Sequence, residues 1–393
     1  MISRHAAAAL AKLAGWYPIV ALTGPRQSGK TTLSRAVFPD KPYVSLEDPD
    51  IREFATADPR GFLGQYPDGA ILDEAQRCPD LFSYLQGIAD KSRRKGRFVV
   101  TGSQQFGLHA GISQSLAGRV GLLHLLPFSF GELPQKRRPA KVEELLLTGL
   151  YPPLYDRDVP PQVWFADYVA TYIERDVRQM LNVRDLGAFQ RFLRMCAART
   201  GQLLNLSMLA ADCGITHNTA KSWISILEAS YLIVLLQPYH VNFGKRLVKS
   251  AKLYFLDPGL AAWLAGVRSA NDLALGTMRG ALFETWVVSE FVKFSRNRLL
   301  AEKMYFWRDS AGNEIDLLVE RGNEIVPFEC KSGQTVAGDW FKGLEKFMGW
   351  AKSRRGGLIY SGRNDQSRVR CPVFAWRHIE KAASWAFYPE SSD

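Results

Sequence analysis

Cysteine is scarce and scattered: five in 393 residues, at positions 78, 196, 213, 330 and 371, and never as C-x-x-C. That excludes a disulfide framework and a zinc knuckle and points to a reducing, cytoplasmic setting. The six histidines show no metal-ligand spacing. No apolar run approaches the roughly 18–20 residues that span a bilayer. The Ala-rich start, Met1 to Gly15, is interrupted by Lys12 and followed by no cleavage-type segment. It reads as a helix leading into a first strand rather than as a signal peptide. Low-complexity tracts are also missing, and 47% hydrophobic with 23% charged residues is an ordinary globular mixture. Acidic residues are the scarcer sign, 39 against 50 basic, for a net charge of +11. Such an excess favours polyanions, nucleic acid above all, with membrane surfaces and simple solubility as alternatives. A chain of this length is expected to form two or three domains.

What is present is more specific. The apolar stretch Ile19-Val20-Ala21-Leu22-Thr23 runs into Gly24-Pro25-Arg26-Gln27-Ser28-Gly29-Lys30-Thr31, and helix-compatible Thr32-Leu33-Ser34-Arg35-Ala36-Val37 follows. This fits G-x-x-x-x-G-K-[ST] in its strand–loop–helix setting. Successive backbone N–H groups and a helix N-terminus suit a triphosphate, and the two glycines let the chain bend around it. Lys30 reaches the β/γ-phosphates, and Thr31 supplies a hydroxyl to Mg²⁺. The expected nucleotide-binding set is therefore Gly24 to Thr31 with Thr32.

Further apolar runs, 43–46, 70–73, 97–101 and 122–126, alternate with helical stretches, which predicts a parallel sheet covered on both faces. Ligands of such sheets sit at the strands' C-terminal ends. There the third run ends in Asp73-Glu74, a carboxylate to hold Mg²⁺ and a neighbour to polarise the attacking water. The fourth ends in Thr101-Gly102-Ser103-Gln104, with Ser103 the candidate γ-phosphate sensor. Arg119, before the fifth, is the candidate arginine finger, in cis or across a subunit boundary, with a surface salt bridge as the alternative.

Taken together, Gly24–Thr31, Ile71-Leu72-Asp73-Glu74-Ala75-Gln76, Val100-Thr101-Gly102-Ser103, Ser115-Leu116-Ala117-Gly118-Arg119, Gly149-Leu150-Tyr151-Pro152 and Thr171-Tyr172-Ile173-Glu174-Arg175-Asp176-Val177 resemble the bacterial and archaeal AAA-type ATPases that carry a C-terminal domain of unassigned function. The resemblance covers nearly the whole chain. It implies an AAA-like fold, ATP rather than GTP, Mg²⁺, and a ring or other homo-oligomer, and it supplies no substrate.

Beyond the ATPase region (1–135), 136–265 is expected to be a helical region with a winged helix, in which residues 160–200 read as helices. Glu174 and Arg178 form an i,i+4 surface pair, with a contact to the ATPase as the alternative. Ser207 is expected to cap a short helix through Asp212, Gly214 to turn the chain, and Thr216 to start a helix over 217–229. Ala220, Trp223, Ile224 and Leu227 form its inward stripe. Apolar segments 231–236 and 253–256, with Lys245, Arg246, Lys249 and Lys252 between them, complete the layout of a winged helix. His217, Asn218, Lys221 and Ser222 then face outward toward DNA, although winged helices also serve as protein-packing modules.

In 266–393, strands 314–320 and 324–331 flank Arg321-Gly322-Asn323. A two-residue turn pairs Arg321 with Glu324 and sets Asp316 opposite Glu329, with Lys331 on the same face. Ile315, Leu317, Val319, Val326 and Phe328 collect on the other face as a core. Like charges facing each other destabilise a sheet, so a cation is required; Mg²⁺ fits, with Glu284 of the helix 281–294 as a third ligand. Asp316, Glu329-Cys330-Lys331 and Glu284 resemble the core of the PD-(D/E)XK nucleases. The resemblance implies metal binding by Asp316, Glu329 and Glu284 and catalysis by Lys331. The alternatives are an acidic hairpin neutralised by Lys331 or an arginine, and a nuclease-like fold that grips DNA without cutting.

The expected fold is α/β: a P-loop AAA-like parallel-sheet domain, a helical and winged-helix region, and a C-terminal α/β nuclease-like domain. The expected function is Mg-dependent ATP hydrolysis by Lys30, Thr31, Asp73 and Glu74, coupled to DNA binding, remodelling or cleavage. The alternative is a nucleotide-dependent switch that recruits protein partners and carries an inert C-terminal domain.

Overall fold

The computed structural model describes residues 2–92, 94–102, 116–157, 159–173, 185–239, 250–368 and 371–388. They form two compact units. The first is Met1–Pro127 with Ala229–Tyr231 and Arg296–Leu300; the second is Phe128–Glu228, Leu232–Ser295 and Ala301–Asp393.

The first unit holds β1 (Ile19–Thr23), β2 (Tyr43–Ser45), β3 (Ile71–Asp73), β4 (Phe98–Gly102) and β5 (Val120–His124) in the order β2-β3-β4-β1-β5. Every pairing is parallel. β1 is apolar at successive positions because both its faces are covered. Ile19 and Ala21 pack with Phe62, Phe82 and Leu85. Val20 and Leu22 pack with Leu10, Leu13 and Leu33. The register sets Thr23 beside Gly102 and His124, and Ser45 beside Asp73, so these strand ends share one edge.

The second unit is built on an eight-stranded mixed sheet of order β13-β12-β11-β10-β9-β7-β8-β6. Its strands are β6 (Gln202–Leu203), β7 (Ile233–Pro238), β8 (Lys252–Phe255), β9 (Lys303–Arg308), β10 (Glu314–Arg321), β11 (Glu324–Lys331), β12 (Gly357–Tyr360) and β13 (Val373–Ala375). The expected boundary near residue 265 falls inside this unit. β7 pairs in parallel with β9 through Gln237↔Tyr305 and Pro238↔Phe306, which joins two strand edges that would each expose unpaired backbone groups.

Preceding β7 are the helices Leu186–Ala198, Leu206–Cys213 and His217–Ala229. Asn205, not Ser207, caps the middle helix: its side chain accepts from the Met208 N–H at 3.0 Å, and Ser207 is the second residue of the helix. Gly214, at φ +68°, ends that helix, and Thr216 accepts from the Thr219 N–H to start the next. Ala220, Trp223, Ile224 and Leu227 are buried as the 3.6-residue period requires.

The β10–β11 register runs from Arg321↔Glu324 to Leu317↔Phe328, as a two-residue turn demands. The single core face does not survive. A bulge between Ile315 and Leu318 shifts the β9–β10 register. Ile315 consequently packs with Leu318, Ile325, Leu344 and Phe347, whereas Phe328 packs on Phe291 and Trp385. Strands interior to a large sheet are covered on both sides.

Phe328→Ala removes a fully buried ring and is expected to cost about 3–5 kcal/mol. Met208→Ala, at a side chain 55% exposed, is expected to stay within about 0.5 kcal/mol. Urea denaturation followed by circular dichroism checks both.

Candidate functional site

The loop after β1 is shaped by two glycines. Gly24 sits at φ +153°, and a Cβ there would lie 2.0 Å from the Leu125 carbonyl oxygen. Gly29, at φ +92°, opens the helix Lys30–Val37, where the left-handed conformation excludes most side chains. Lys30 is buried; its ammonium donates to the carbonyls of Gly24 at 3.0 Å and Pro25 at 2.9 Å. It thus lies over the loop that must receive the phosphates. Arg4 braces the loop from the N-terminal segment, donating to the carbonyls of Ser28 at 2.6 Å and Leu126 at 2.7 Å. Sequence reading missed Arg4, because nothing in the residue pattern sets an arginine ahead of an Ala-rich stretch apart from the other basic residues.

Asp73 gathers three partners at the end of β3. Its carboxylate accepts from Thr31 Oγ1 at 2.8 Å, from Tyr43 OH at 2.6 Å, and from Thr101 Oγ1 at the end of β4. Burial and Asp73 together hold the Tyr43 hydroxyl well above its ordinary pKa. A hydroxyl and a carboxylate, both hard oxygen donors on one edge, fit Mg²⁺. Glu74 follows in the left-handed region at φ +53°, ψ 44°, which costs a non-glycine residue about 1 kcal/mol. Its Oε2 accepts from Gln76 Nε2. Thr31, Thr32, Arg35, Lys41 and Tyr43 line a cleft of about 580 Å³ beside this helix. Nearby, Thr23 Oγ1 lies 2.7 Å from both His124 Nδ1 and Tyr231 OH, and burial pushes Tyr231 up to about 12. The tyrosine is 208 residues from Thr23, so sequence spacing could not have paired them.

Ser103 lies outside the described residues, as do Glu174, Arg178, Lys245, Arg246 and Lys249. Arg119 precedes β5 at the edge opposite the loop, and its Nη2 donates to Asp90 at 3.1 Å. The role in cis is therefore corrected, because parallel strands put their N-terminal ends a full strand length from the phosphates.

In the second unit Glu284, Glu314 and Asp316 offer carboxylate oxygens within 4.8 Å of one another. Asp316 accepts from the Cys330 N–H at 2.8 Å. Glu329, adjacent on β11, pairs with Lys331. Its Oε2 is buried without a hydrogen-bond partner among the described residues. Burial, then the Asp316 charge, push the Glu329 carboxyl up to about 8 and Glu284 up to about 7. The expected Asp316, Glu329, Lys331 and Glu284 are thus neighbours.

Lys252 overturns part of the expectation. It is not an exposed wing cation but 2% exposed, 2.9 Å from Glu284 Oε1 and also bound to Glu314. Burial alone would lower its pKa; Glu284, Asp316 and Glu314 outweigh that and raise it. With this ammonium among the three carboxylates, the set does not fit a divalent metal. Neither Lys252 nor Glu314 was singled out as a ligand in the sequence, since nothing in a linear pattern ties β8 to β10.

The description "AAA domain" matches residues 17–134. "Domain of unknown function (DUF8612)" matches 139–271, and "Domain of unknown function (DUF4143)" matches 279–378. Uncharacterized protein Rv2008c of Mycobacterium tuberculosis and Mb2031c of Mycobacterium bovis are each 33% identical over 336 residues, 84% of this chain and 74% of theirs. Among solved structures, the Walker-type ATPase PABY2304 of Pyrococcus abyssi aligns at a TM-score of 0.45 and 16% identity, over 67% of this chain and 96% of its own. AMPPCP-bound DnaA from Aquifex aeolicus aligns at 0.29 and 15%, over 57% and 85%. With the two mycobacterial proteins this chain belongs to one family, and it is an AAA-type P-loop ATPase whose residues 279–378 match the DUF4143 description.

Proposed function

We propose that the protein is a Mg²⁺-dependent ATPase whose nucleotide cycle drives DNA binding or remodelling. The observation that carries the ATPase half is the Asp73 carboxylate, bound at once by Thr31 of the loop and Thr101 of β4. Loop N–H groups and the Lys30 ammonium would take the phosphate tail, the lysine exchanging its two carbonyl partners for phosphate oxygens. Thr31 and Asp73 would hold Mg²⁺, which when bound neutralises phosphate charge. Glu74, one residue beyond, would orient the attacking water and accept its proton. An arginine supplied by a neighbouring copy in a ring or other homo-oligomer would complete the site, and Arg119, outside the cis site, is the candidate.

Support for DNA comes from the second unit. Helix, short strand, two helices and two antiparallel strands follow one another from 186 to 255, the element order of a winged helix. His217, Asn218, Lys221 and Ser222 are exposed on the helix His217–Ala229. The net charge of +11 favours a polyanion. We assign the C-terminal domain to holding DNA rather than cutting it, because its carboxylates already have a protein cation. No helix among the described residues is long and apolar enough to cross a membrane.

Lys30→Ala is expected to abolish saturable binding of a fluorescent ATP analogue. Asp73→Asn is expected to retain binding and lose roughly 10²–10³-fold in steady-state hydrolysis. Duplex or branched DNA is expected to stimulate the wild-type rate; a rate indifferent to single-stranded, duplex and branched DNA would favour a protein-recruiting switch. Lys221→Ala is expected to weaken DNA binding across sequences and to reduce the salt dependence by about one phosphate contact. Fluorescence anisotropy over a salt series measures it.

A further inference from the structure

We infer that Lys252 is the built-in cation of the C-terminal carboxylate cluster and that it keeps divalent metal out. Glu284, Glu314 and Asp316 come close enough for one ion to bridge them. Like charges so close, and buried, need a counter-charge. The side chain of Lys252 supplies it, bound to Glu284 and Glu314 while 3% exposed.

Every carboxylate of the three has a protein partner. Tyr254 OH donates to Glu284 Oε1 at 2.5 Å, Arg308 Nη1 lies 3.2 Å from Glu314 Oε2, and the Cys330 N–H binds Asp316. Counting Glu329 with its partner Lys331, four carboxylates meet Lys252, Lys331 and Arg308. The charge is nearly balanced before any ion arrives.

The lysine is also anchored. Its backbone pairs with Leu236 of β7 on one side and Leu203 of β6 on the other. Its ammonium therefore issues from a point held on both flanks, and a metal could enter only by expelling a buried cation from its three-sided acidic seat. A lysine has three donors and a single charge, so it satisfies the oxygens without the Lewis acidity that phosphodiester cleavage draws from a metal.

Mn²⁺ binding to the full-length, nucleotide-free protein tests this, read by electron paramagnetic resonance and calorimetry. Wild type and Glu284→Gln are expected to bind the same number of ions. Lys252→Gln is expected to gain one Mn²⁺ site, at least tenfold tighter than any in wild type, and Lys252→Gln with Glu284→Gln to lose it. A wild-type site that Glu284→Gln removes overturns the inference, as does a folded Lys252→Gln protein that takes up no additional ion. Should Lys252→Gln fail to fold, the comparison of wild type with Glu284→Gln decides alone. Because the readout is metal uptake, a negative result leaves ATP turnover and DNA binding to be judged on their own.

Discussion

One carboxylate organises the nucleotide end of the molecule. Asp73 is reached by a hydroxyl from the phosphate loop, one from β4 and a phenol from β2, each from a different strand or its extension. A buried acid with three hydroxyl donors holds its neighbours in place, since loss of any one would leave a charged acceptor short of a hydrogen bond in a poorly solvated site. Thr31 is fixed by it, and through Thr31 so is the start of the helix that carries Lys30. The left-handed Glu74 follows directly, so the group that would orient water takes its direction from the same anchor.

The second unit solves a similar electrostatic problem differently. Where Asp73 is satisfied by neutral hydroxyls, Glu284 and Glu314 are bound by an ammonium, and Asp316 beside them accepts from the Cys330 N–H. Burying several acids together is costly, and the cost falls when a cation of fixed position stands among them. A strand held on both flanks can supply such a cation, and β8 does so. Lys331 meanwhile stays paired with Glu329 on the adjacent strand, so the acids of this region are met by cations of the chain itself.

Much of the first unit was legible in the residues. Five short apolar runs with helices between them require a parallel sheet, and G-x-x-x-x-G-K-T after the first run requires the phosphate loop at its C-terminal edge. The β10–β11 register could likewise be counted from a two-residue turn, because the side-chain period of a strand is two. Counting failed at the bulge near Ile315, which breaks that period, and at Ser207, where Asn205 two residues earlier offered a competing cap. Arg119 misled because a motif position says nothing about which end of a strand faces the ligand.

By itself, then, the amino-acid order determined what is local or periodic: the loop, the strands, the inward stripe of the helix His217–Ala229, and the β10–β11 register from Arg321↔Glu324 to Leu317↔Phe328. Only the tertiary structure decided which distant residues meet. Lys252, 32 residues from Glu284, became a buried counter-ion instead of an exposed basic contact. Tyr231 came to rest against Thr23, and Arg4 against the phosphate loop. The physical reason is the same in each case. A side chain's charge and length are written in its own identity, but its partner is set by sheet order and burial, which depend on the whole chain at once.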